Sequence, residues 1–152
     1  MIQIKLSDKM APSFFSVHKD VKQHNHTHYV LAGGRGSTKS SYVSLEIPLL
    51  LMRNPECHAV VLRKVANTLR NSVYTQMEWA LDALHISDKW KMTVSPMEMV
   101  RKATGQKILF FGVDDKAKAK SIKLPFGYIG VVWYEELDQF AGMEEIRNFC
   151  LL

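Results

Sequence analysis

The sequence of 152 residues lacks any long apolar run. A membrane-spanning helix needs about eighteen consecutive apolar residues, and a secretory signal peptide needs an unbroken apolar segment near the N-terminus. Lys5, Asp8 and Lys9 instead interrupt Met1–Met10 with charge. Repeats and low-complexity tracts are also missing. We therefore expect a protein that is neither secreted nor membrane-spanning.

Cysteine is scarce, since the chain has only Cys57 and Cys150 and no C-x-x-C pair. This spacing provides neither a disulfide framework nor a zinc site, and it predicts reduced, packed cysteines in an intracellular setting. His24, His26 and His28 alternate ahead of an apolar segment. Alternation on a strand edge is typical of a solvated face, and a metal site is the alternative.

The composition is that of one soluble globular domain, with 47% hydrophobic and 23% charged residues. The formal net charge of +5 favours a polyanionic partner, because lysine and arginine release counterions from phosphate backbones. The densest basic cluster is Lys116, Lys118, Lys120 and Lys123. A solvated face is the alternative interpretation of that cluster.

The first third of the chain predicts a strand, a glycine-rich loop and a helix. Residues 1–26 form an irregular lead-in, with a short helix around Phe14–Val21. Thr27–Ala32 is a short β-rich run that we predict to be a strand. The stretch after Lys39 predicts a helix that is broken or kinked near Pro48.

The remaining segments alternate between the two periodicities and predict an α/β fold. They are a strand at His58–Arg63, a helix at Thr68–Leu84, antiparallel strands at Met92–Ser95, Glu98–Ala103 and Lys107–Val113 with a turn at Thr104–Gly105, a lysine-rich helix or loop at Asp114–Ile122, a central strand at Gly127–Tyr134, and a helix at Leu137–Leu152. We therefore expect a mainly parallel sheet with helices on both faces and an inserted antiparallel hairpin.

The loop after the first predicted strand resembles a phosphate-binding P-loop. Its sequence is GGRGSTKS, which fits G-x-x-x-x-G-K-[ST] except that threonine takes the place of the second glycine. The eight residues predicted to bind the phosphates are Gly33, Gly34, Arg35, Gly36, Ser37, Thr38, Lys39 and Ser40. Glycines let successive backbone N–H groups point at phosphate oxygens, and the following helix adds the positive end of its dipole. We therefore predict a nucleotide triphosphate site for ATP with Mg²⁺.

Individual side chains of this loop have distinct predicted roles. Lys39 would reach the β- and γ-phosphates, and the Ser40 hydroxyl would bind Mg²⁺. Arg35 would stabilise charge that develops on the γ-phosphate, with a solvated surface arginine as the alternative. The Cβ of Thr38 restricts the backbone angles available at a position where the motif has glycine. A glycine-rich turn that merely packs a strand on a helix is the alternative for the whole loop.

An acidic pair follows the last apolar strand, where a P-loop protein needs its second metal-side group. Glu135 and Glu136 come directly after Gly127–Tyr134 and resemble a Walker B element. The first acid would hold Mg²⁺, and the second would act as general base toward the attacking water. A strand that simply ends in solvated acids is the alternative.

The amino-acid sequences of four segments resemble those of the large subunit of a tailed-phage terminase, in its defective-prophage-like branch. These segments are GGRGSTKS, VVLRKVANTLRNSVYTQM, ILFFGVDDKAKAKSIK and WYEELDQF, and the resemblance covers Tyr29–Phe140. It implies an ATPase that drives double-stranded DNA into a capsid as a homo-oligomeric ring on the portal protein, recruited by a small terminase subunit. It also implies a place in the cytoplasm of the bacterial host. The resemblance carries catalytic roles to Lys39, Arg35 and Glu136, and metal binding to Ser40 and Glu135.

The family continues past the carboxylates into a coupling motif and a nuclease domain. We therefore expect residues 1–152 to be a terminase-like P-loop ATPase domain that is incomplete at its C-terminus, without the nuclease. Such a fragment would leave a sheet edge unpaired, would be poorly soluble or associate with itself, and would hydrolyse ATP slowly or not at all. Two alternatives stay open: a non-hydrolysing prophage remnant, and another P-loop NTPase of helicase-like type.

Overall fold

The structure is a computed structural model that describes residues 3–150, with side chains described through Arg147. Its helices are α1 (Phe15–Lys22), α2 (Lys39–Arg53), α3 (Thr75–Ala83), α4 (Lys116–Lys120) and α5 (Met143–Cys150), and its strands are β1 (Cys57–Arg63), β2 (Trp90–Val94), β3 (Met97–Arg101), β4 (Lys107–Gly112) and β5 (Tyr128–Tyr134). Short 3₁₀ turns occupy Leu6–Asp8, Pro12–Phe14, Ala66–Thr68, Ser87–Lys89 and Leu137–Gln139. The predicted α/β class is confirmed.

The five strands form one sheet in the order β2-β3-β4-β1-β5. β1 pairs in parallel with β4 and with β5, whereas β2–β3 and β3–β4 are antiparallel. The sheet is therefore mixed, and the prediction of a mainly parallel sheet is wrong. The antiparallel strands were predicted correctly, and Gly105 makes their second turn at a φ of +80° that favours glycine.

β1 is an interior strand, between β4 and β5, and is buried on both of its faces. Ala59 and Val61 belong to the main core, together with side chains of α2 and α3. Val60 and Leu62 point to the opposite face, where Ile122 packs beyond α4. Such a run, apolar on both faces, is typical of a strand inside a layered α/β fold.

α2 continues through Pro48, so the predicted break is wrong. Proline removes one backbone hydrogen bond from a helix and crowds the preceding turn. Here Leu45, Ile47 and Leu51 are fully buried on either side of it. Each such side chain contributes about 1.5–3 kcal/mol of burial, which offsets a local cost of roughly 3 kcal/mol.

Thr27–Ala32 has no regular secondary structure and joins no strand ladder, so the predicted first strand is wrong. A strand requires a neighbour to receive its N–H and C=O groups, and Val30 is instead 78% exposed. β5 pairs only with β1 among the described strands and forms an edge of the sheet. The prediction of a central β5 beside the loop strand is therefore wrong.

The long helix predicted at Thr68–Leu84 is divided in the structure. Arg70–Tyr74 forms a π-helical turn, in which the Tyr74 N–H donates to the Leu69 carbonyl at 3.1 Å, and α3 begins only at Thr75. π-Turns inside helices are rare and occur often at functional sites. Sequence periodicity does not distinguish this local widening from a regular helix.

The lead-in is more ordered than predicted, because it packs on α2. Phe14 stacks on Tyr42 with ring centroids 4.6 Å apart. His18 Nδ1 lies 2.6 Å from Glu46 Oε2, and the Glu46 side chain is only 6% exposed. The predicted helix near Phe14–Val21 is confirmed as α1. The three alternating histidines do not lie on a strand. The His26 ring instead forms a hydrogen bond with Asp20.

The start of β1 is fixed by two buried polar side chains. His58 accepts a bond from the Lys107 N–H at 2.9 Å on Nδ1 and donates to the Phe126 carbonyl at 2.8 Å from Nε2. Burial lowers the pKa of His58. The Gln106 amide contacts the carbonyls of Leu51 and Cys57, each at 2.8 Å. These bonds tie β4 to the end of α2.

Cys57 is a free, buried thiol whose pKa burial raises, while the side chain of Cys150 lies outside the described residues. α4 lies within the predicted helix or loop Asp114–Ile122, and α5 lies within the predicted helix Leu137–Leu152, of which residues 151–152 are outside the described residues. Across residues 3–150, no helix combines the length and the apolar character needed to cross a bilayer.

Candidate nucleotide site

The loop Gly33–Ser40, called the glycine-rich loop below, curls around the ammonium group of Lys39. Lys39 Nζ donates to the Gly33 carbonyl at 2.5 Å, to the Gly34 carbonyl at 3.2 Å and to Ser37 Oγ at 2.7 Å. α2 begins at Lys39, so Lys39 and Ser40 lie in its first turn. The loop thus places a positive charge at the start of a helix that runs for fifteen residues.

Thr38 occupies the second-glycine position of the motif in a glycine-like conformation. Its φ is +60° and its ψ is +17°, in the left-handed region, and Gly36 two residues earlier has a φ of +76°. A β-branched residue at positive φ is an outlier that costs about 1–3 kcal/mol. The restriction predicted for Thr38 therefore appears as backbone strain in the loop.

The structure brings the two predicted metal ligands together. Ser40 Oγ donates to Glu135 Oε1 at 2.6 Å, although 95 residues separate them in the chain. Pairing with β1 extends to this point, because the Glu135 N–H donates to the Leu62 carbonyl at 2.9 Å. The end of β5 and the first turn of α2 therefore meet at one place.

Glu136 turns away from this contact and pairs with Arg63 at the end of β1. Its φ of +54° is left-handed, and its Oε2 accepts from Arg63 Nη2. The Arg63 side chain is 13% exposed, and its other terminal nitrogen donates to the Thr68 carbonyl at 3.3 Å. The buried Arg63 Nε makes no hydrogen bond to the described residues. Arg63 thus fixes the second acid.

Arg63 and Lys64 lie in the segment VVLRKVANTLRNSVYTQM, which carries part of the family resemblance without a predicted role for either residue. Parallel strands end at the same edge of a sheet, so an arginine at the end of β1 was the available signal for a partner to Glu136. Lys64 instead pairs with Glu145 at 3.2 Å. Glu145 accepts from the Ala141 N–H at 2.6 Å, and this bond, with Lys64, lowers the pKa of its carboxyl.

Arg35 lies exposed on the glycine-rich loop and makes no hydrogen bond or ion pair within residues 3–150. The structure therefore does not bring it to the Ser40–Glu135 contact.

A cavity of about 370 Å³ opens beside Ser40 and Glu135. Its other lining residues come from the π-turn and α3, and they are Asn71, Ser72, Val73, Thr75, Gln76 and Trp79. The sequence did not indicate this wall, because Trp79 fits the apolar positions of the predicted helix Thr68–Leu84. Trp79 is in fact 43% exposed, whereas Met77 and Leu81 are fully buried.

The residues at this place fit a magnesium-bound triphosphate. Mg²⁺ takes oxygen ligands from one or two protein side chains, together with phosphate oxygens and waters. A hydroxyl and a carboxylate 2.6 Å apart supply such oxygens. The Lys39 ammonium and the glycine-rich loop supply donors and positive charge for phosphate. Among the described residues, no three His, Cys, Asp or Glu side chains cluster as metal ligands.

Comparisons with known proteins agree on one family. A family model described as phage terminase large subunit matches residues 25–149. The chain is 40% identical to the terminase large subunit of Bacillus phage SPP1 over 146 residues, which cover 96% of this chain and 34% of that protein. It is 31% identical to the PBSX phage terminase large subunit of Bacillus subtilis (strain 168) over 122 residues, 79% of this chain and 27% of that protein. The chain spans about a third or less of their lengths.

Proposed function

The chain belongs to the phage terminase large-subunit family, and from that membership we propose that residues 1–152 form the ATP-binding part of a DNA-packaging motor. The proposal has two parts. The first is a P-loop ATPase site between the glycine-rich loop and the end of β5. The second is the use of that site to move double-stranded DNA into a procapsid.

The contact between Ser40 and Glu135 is the observation that carries the ATPase part. Two segments that sequence motifs assign to one metal meet at 2.6 Å across 95 residues. A glycine-rich turn that only packed a helix would need no carboxylate at this distance. A strand that ended in solvated acids would not direct its first acid at the helix start.

In this proposal the glycine-rich loop binds the triphosphate through backbone N–H groups, and Lys39 bridges its β- and γ-phosphates. Lys39 exchanges its bonds to the loop carbonyls for phosphate oxygens, which are stronger acceptors because they are charged. Arg35 reaches the γ-phosphate from the solvent side and stabilises its developing charge.

Ser40 and Glu135 would hold Mg²⁺, which when bound supplies positive charge that polarises the phosphate oxygens. Glu136 is the general base, and its carboxylate accepts a proton from the attacking water. Arg63 engages that carboxylate in the structure. Glu136 therefore acts as general base either after its carboxylate separates from Arg63 or while the two remain paired.

The partners follow from the family alone. We propose that the complete protein acts on double-stranded DNA in the host cytoplasm as a homo-oligomeric ring on the portal protein, with a small terminase subunit as recruiter. The net charge of +5 suits a polyanionic partner. Lys118, in the basic cluster on α4, already pairs with Asp115 at 3.2 Å.

A second candidate function is nucleotide binding without turnover. Two observations favour it: Glu136 is held by Arg63, and the segment before the loop is not paired with the sheet. A site of this kind binds the nucleotide through its phosphates but does not hydrolyse it.

The test is a titration of ATP with and without Mg²⁺, followed by phosphate release. Lys39→Ala is expected to weaken binding by about tenfold to a hundredfold, because it removes a charge-assisted contact of roughly 1.5–3 kcal/mol. Lys91→Ala, an exposed lysine on β2, is the control. Unchanged affinity in Lys39→Ala would contradict the P-loop assignment.

Two carboxylate variants separate the proposed roles. Glu136→Gln is expected to keep ATP affinity and lose turnover, whereas Glu135→Gln is expected to weaken the Mg²⁺ dependence of binding. Identical behaviour of the two variants would show that this division of roles is wrong. Wild-type binding without any phosphate release would favour the second candidate function.

A further inference from the structure

The cavity beside Ser40 and Glu135 has a second wall that the nucleotide motifs do not explain. This wall consists of the π-turn and the first two turns of α3. Its side chains are two amides, two hydroxyls, one indole and the aliphatic Val73, with no formal charge. They face the two groups that we assign to Mg²⁺.

Helix geometry determines which side chains form the wall. Within α3, Thr75, Gln76 and Trp79 lie on one helix face, because residues three and four positions apart are neighbours on a helix. Ser72 of the preceding π-turn lines the same cavity. The opposite face carries Met77, which is fully buried in the main core. The cavity face is therefore the polar side of an amphipathic helix, and it points at the end of β5.

The hydroxyls of this wall already have partners in the backbone. Thr75 Oγ1 donates to the Arg70 carbonyl at 2.6 Å, and Ser72 Oγ donates to the Thr68 carbonyl at 2.5 Å. Both bonds stabilise the π-turn. The Asn71 amide makes no hydrogen bond within residues 3–150. The groups left for a ligand are thus the amides of Asn71 and Gln76.

Gln76 is directed toward the first turns of α2. Its Nε2 lies 3.5 Å from Ser44 Oγ, and Ser44 is fully buried one helical turn after Ser40. A contact of this length is weak, so Gln76 retains most of its hydrogen-bonding capacity. Its amide lies next to the side of the helix that presents the Ser40 hydroxyl.

We propose that Asn71 and Gln76 are positioning residues that hold the water shell of the divalent cation bound at Ser40 and Glu135, an inference that rests on the proposed function. Mg²⁺ gives up its waters reluctantly and keeps several of them in protein sites. Those waters need hydrogen-bond partners. An amide both donates and accepts, so it can bridge such waters without adding charge.

Charge supports this assignment over direct phosphate recognition by the wall. Lys39 and the preceding residues of the glycine-rich loop already supply cationic and N–H donors next to Ser40, and they are not among the residues that line the cavity. Neutral amides beside a carboxylate instead match a hydrated cation, whose waters donate outward. Groups that hydrogen-bond to metal ligands without contacting the metal itself typically change metal affinity by 10–100-fold when they are removed.

Trp79 gives the test an optical reporter. It lines the cavity and is 43% exposed, whereas Trp90 and Trp133 are 4% and 7% exposed. A soluble quencher such as acrylamide therefore reaches Trp79 preferentially. A ligand that fills the cavity is expected to protect this fluorescence, and Trp79→Phe removes the protected signal.

The experiment titrates Mg²⁺ into the whole chain at a fixed concentration of adenosine 5′-(β,γ-imido)triphosphate, with binding followed by calorimetry and by quenching of Trp79. Asn71→Ala and Gln76→Leu are each expected to raise the half-saturating Mg²⁺ concentration by about tenfold or more. Their affinity for the nucleotide in EDTA is expected to match the wild type. Asn67→Ala is the matched control, since Asn67 is exposed one turn earlier and does not line the cavity.

The outcomes separate this inference from the proposed function. Wild-type requirements for Mg²⁺ in both variants would overturn the inference alone, as would an equal loss of affinity with and without Mg²⁺. A wild-type chain that binds no nucleotide at any Mg²⁺ concentration would overturn the proposed function, and the inference with it. Circular dichroism and thermal melting confirm that each variant is folded; Asn71 is exposed, so Asn71→Ala tests the idea even where Gln76→Leu alters packing.

Discussion

The two parallel neighbours of β1 differ sharply in how they are packed. On one side β4 is buried, with Ile108, Leu109 and Phe110 at 0%, 7% and 4% exposure, and β3 and β2 continue the sheet beyond it. On the other side β5 is an edge, with Tyr128 54% exposed and Ile129 37% exposed. The proposed site lies on the β5 side. The most buried strands and the proposed binding site therefore lie on opposite sides of the same interior strand, as is common where a site must move.

The largest expected effect comes from truncating the same residue type on both sides. Ile108→Ala on β4 is expected to cost about 2–5 kcal/mol of unfolding free energy, because it opens a cavity in a fully buried position. Ile129→Ala on β5 is expected to cost about 1 kcal/mol or less, because that side chain is partly solvated. Urea denaturation of the two variants measures the difference. Equal losses would show that β5 is packed as tightly as β4.

Sequence patterns predicted the β4 side well and the β5 side poorly. The antiparallel strands, their glycine turn and the buried β1 all follow from local periodicity and turn chemistry. Pairing of Thr27–Ala32 and the place of β5 depend on which strands become neighbours, and no local pattern specifies that. The mixed sheet differs from the prediction for the same reason.

The candidate site shows the same division between local and long-range information. The glycine-rich loop and Glu135-Glu136 were visible as motifs, and the structure joins Ser40 to Glu135. The Arg63–Glu136 pair and the cavity wall on α3 arise from tertiary contacts. Trp79 fits an apolar helical pattern in the sequence, yet the π-turn before α3 changes which residues face the core.

A smaller effect is expected from acid on the packed side. Burial holds the pKa of His58 below its ordinary value near 6.5, so the folded state favours the neutral ring. Because the unfolded chain binds a proton more readily, this contribution to stability is fully present above pH 6.5 and is lost as the pH falls toward the lowered pKa. Urea unfolding of the wild type at pH 7.5 and pH 5.5 is expected to show this loss.

The control for this pH dependence is an exposed histidine outside the sheet. His58→Gln is expected to be destabilised at both pH values, by about 1–3 kcal/mol, because the Lys107 N–H and the Phe126 carbonyl lose a buried partner. It is also expected to have a flatter pH profile than the wild type. His28→Gln, at an exposed position before the glycine-rich loop, is expected to keep the wild-type profile. An unchanged profile in His58→Gln would assign the acid sensitivity elsewhere.

Because the backbone of the glycine-rich loop is strained at Thr38, a substitution there is expected to raise the stability of the protein rather than lower it. Thr38→Gly restores the residue that accepts a φ of +60° freely, and it is expected to raise stability by up to about 1 kcal/mol. The greater freedom of glycine in the unfolded chain limits the gain. Nucleotide affinity is expected to rise as well, since the loop reaches its binding conformation more easily.

Thr38→Ala separates backbone strain from loss of the threonine side chain. Alanine retains a Cβ, so this variant is expected to keep most of the strain while it removes the hydroxyl that donates to the Ser37 carbonyl at 2.7 Å. Thermal melting and ATP titration compare the two variants. A gain in Thr38→Ala equal to that in Thr38→Gly would show that the hydroxyl, rather than the left-handed backbone, limits the wild type.

The smallest effect on folding, but a clear one on association, is expected at the two edges of the sheet. β5 is seven residues long and carries no charge, whereas β2 is five residues long and carries Lys91. Long, uncharged edge strands pair readily with other chains, and an edge lysine suppresses that pairing. Val132 on β5 and Val94 on β2 are matched, at 41% and 39% exposure.

Val132→Lys is therefore expected to weaken self-association by about tenfold, or 1.4 kcal/mol, with a change in unfolding free energy within about 0.5 kcal/mol. Val94→Lys, on an edge that already carries a lysine, is expected to leave association unchanged. Sedimentation velocity over a range of protein concentrations measures both. A monomeric wild type at all concentrations, or equal effects of the two substitutions, would mean that the β5 edge has no special tendency to pair.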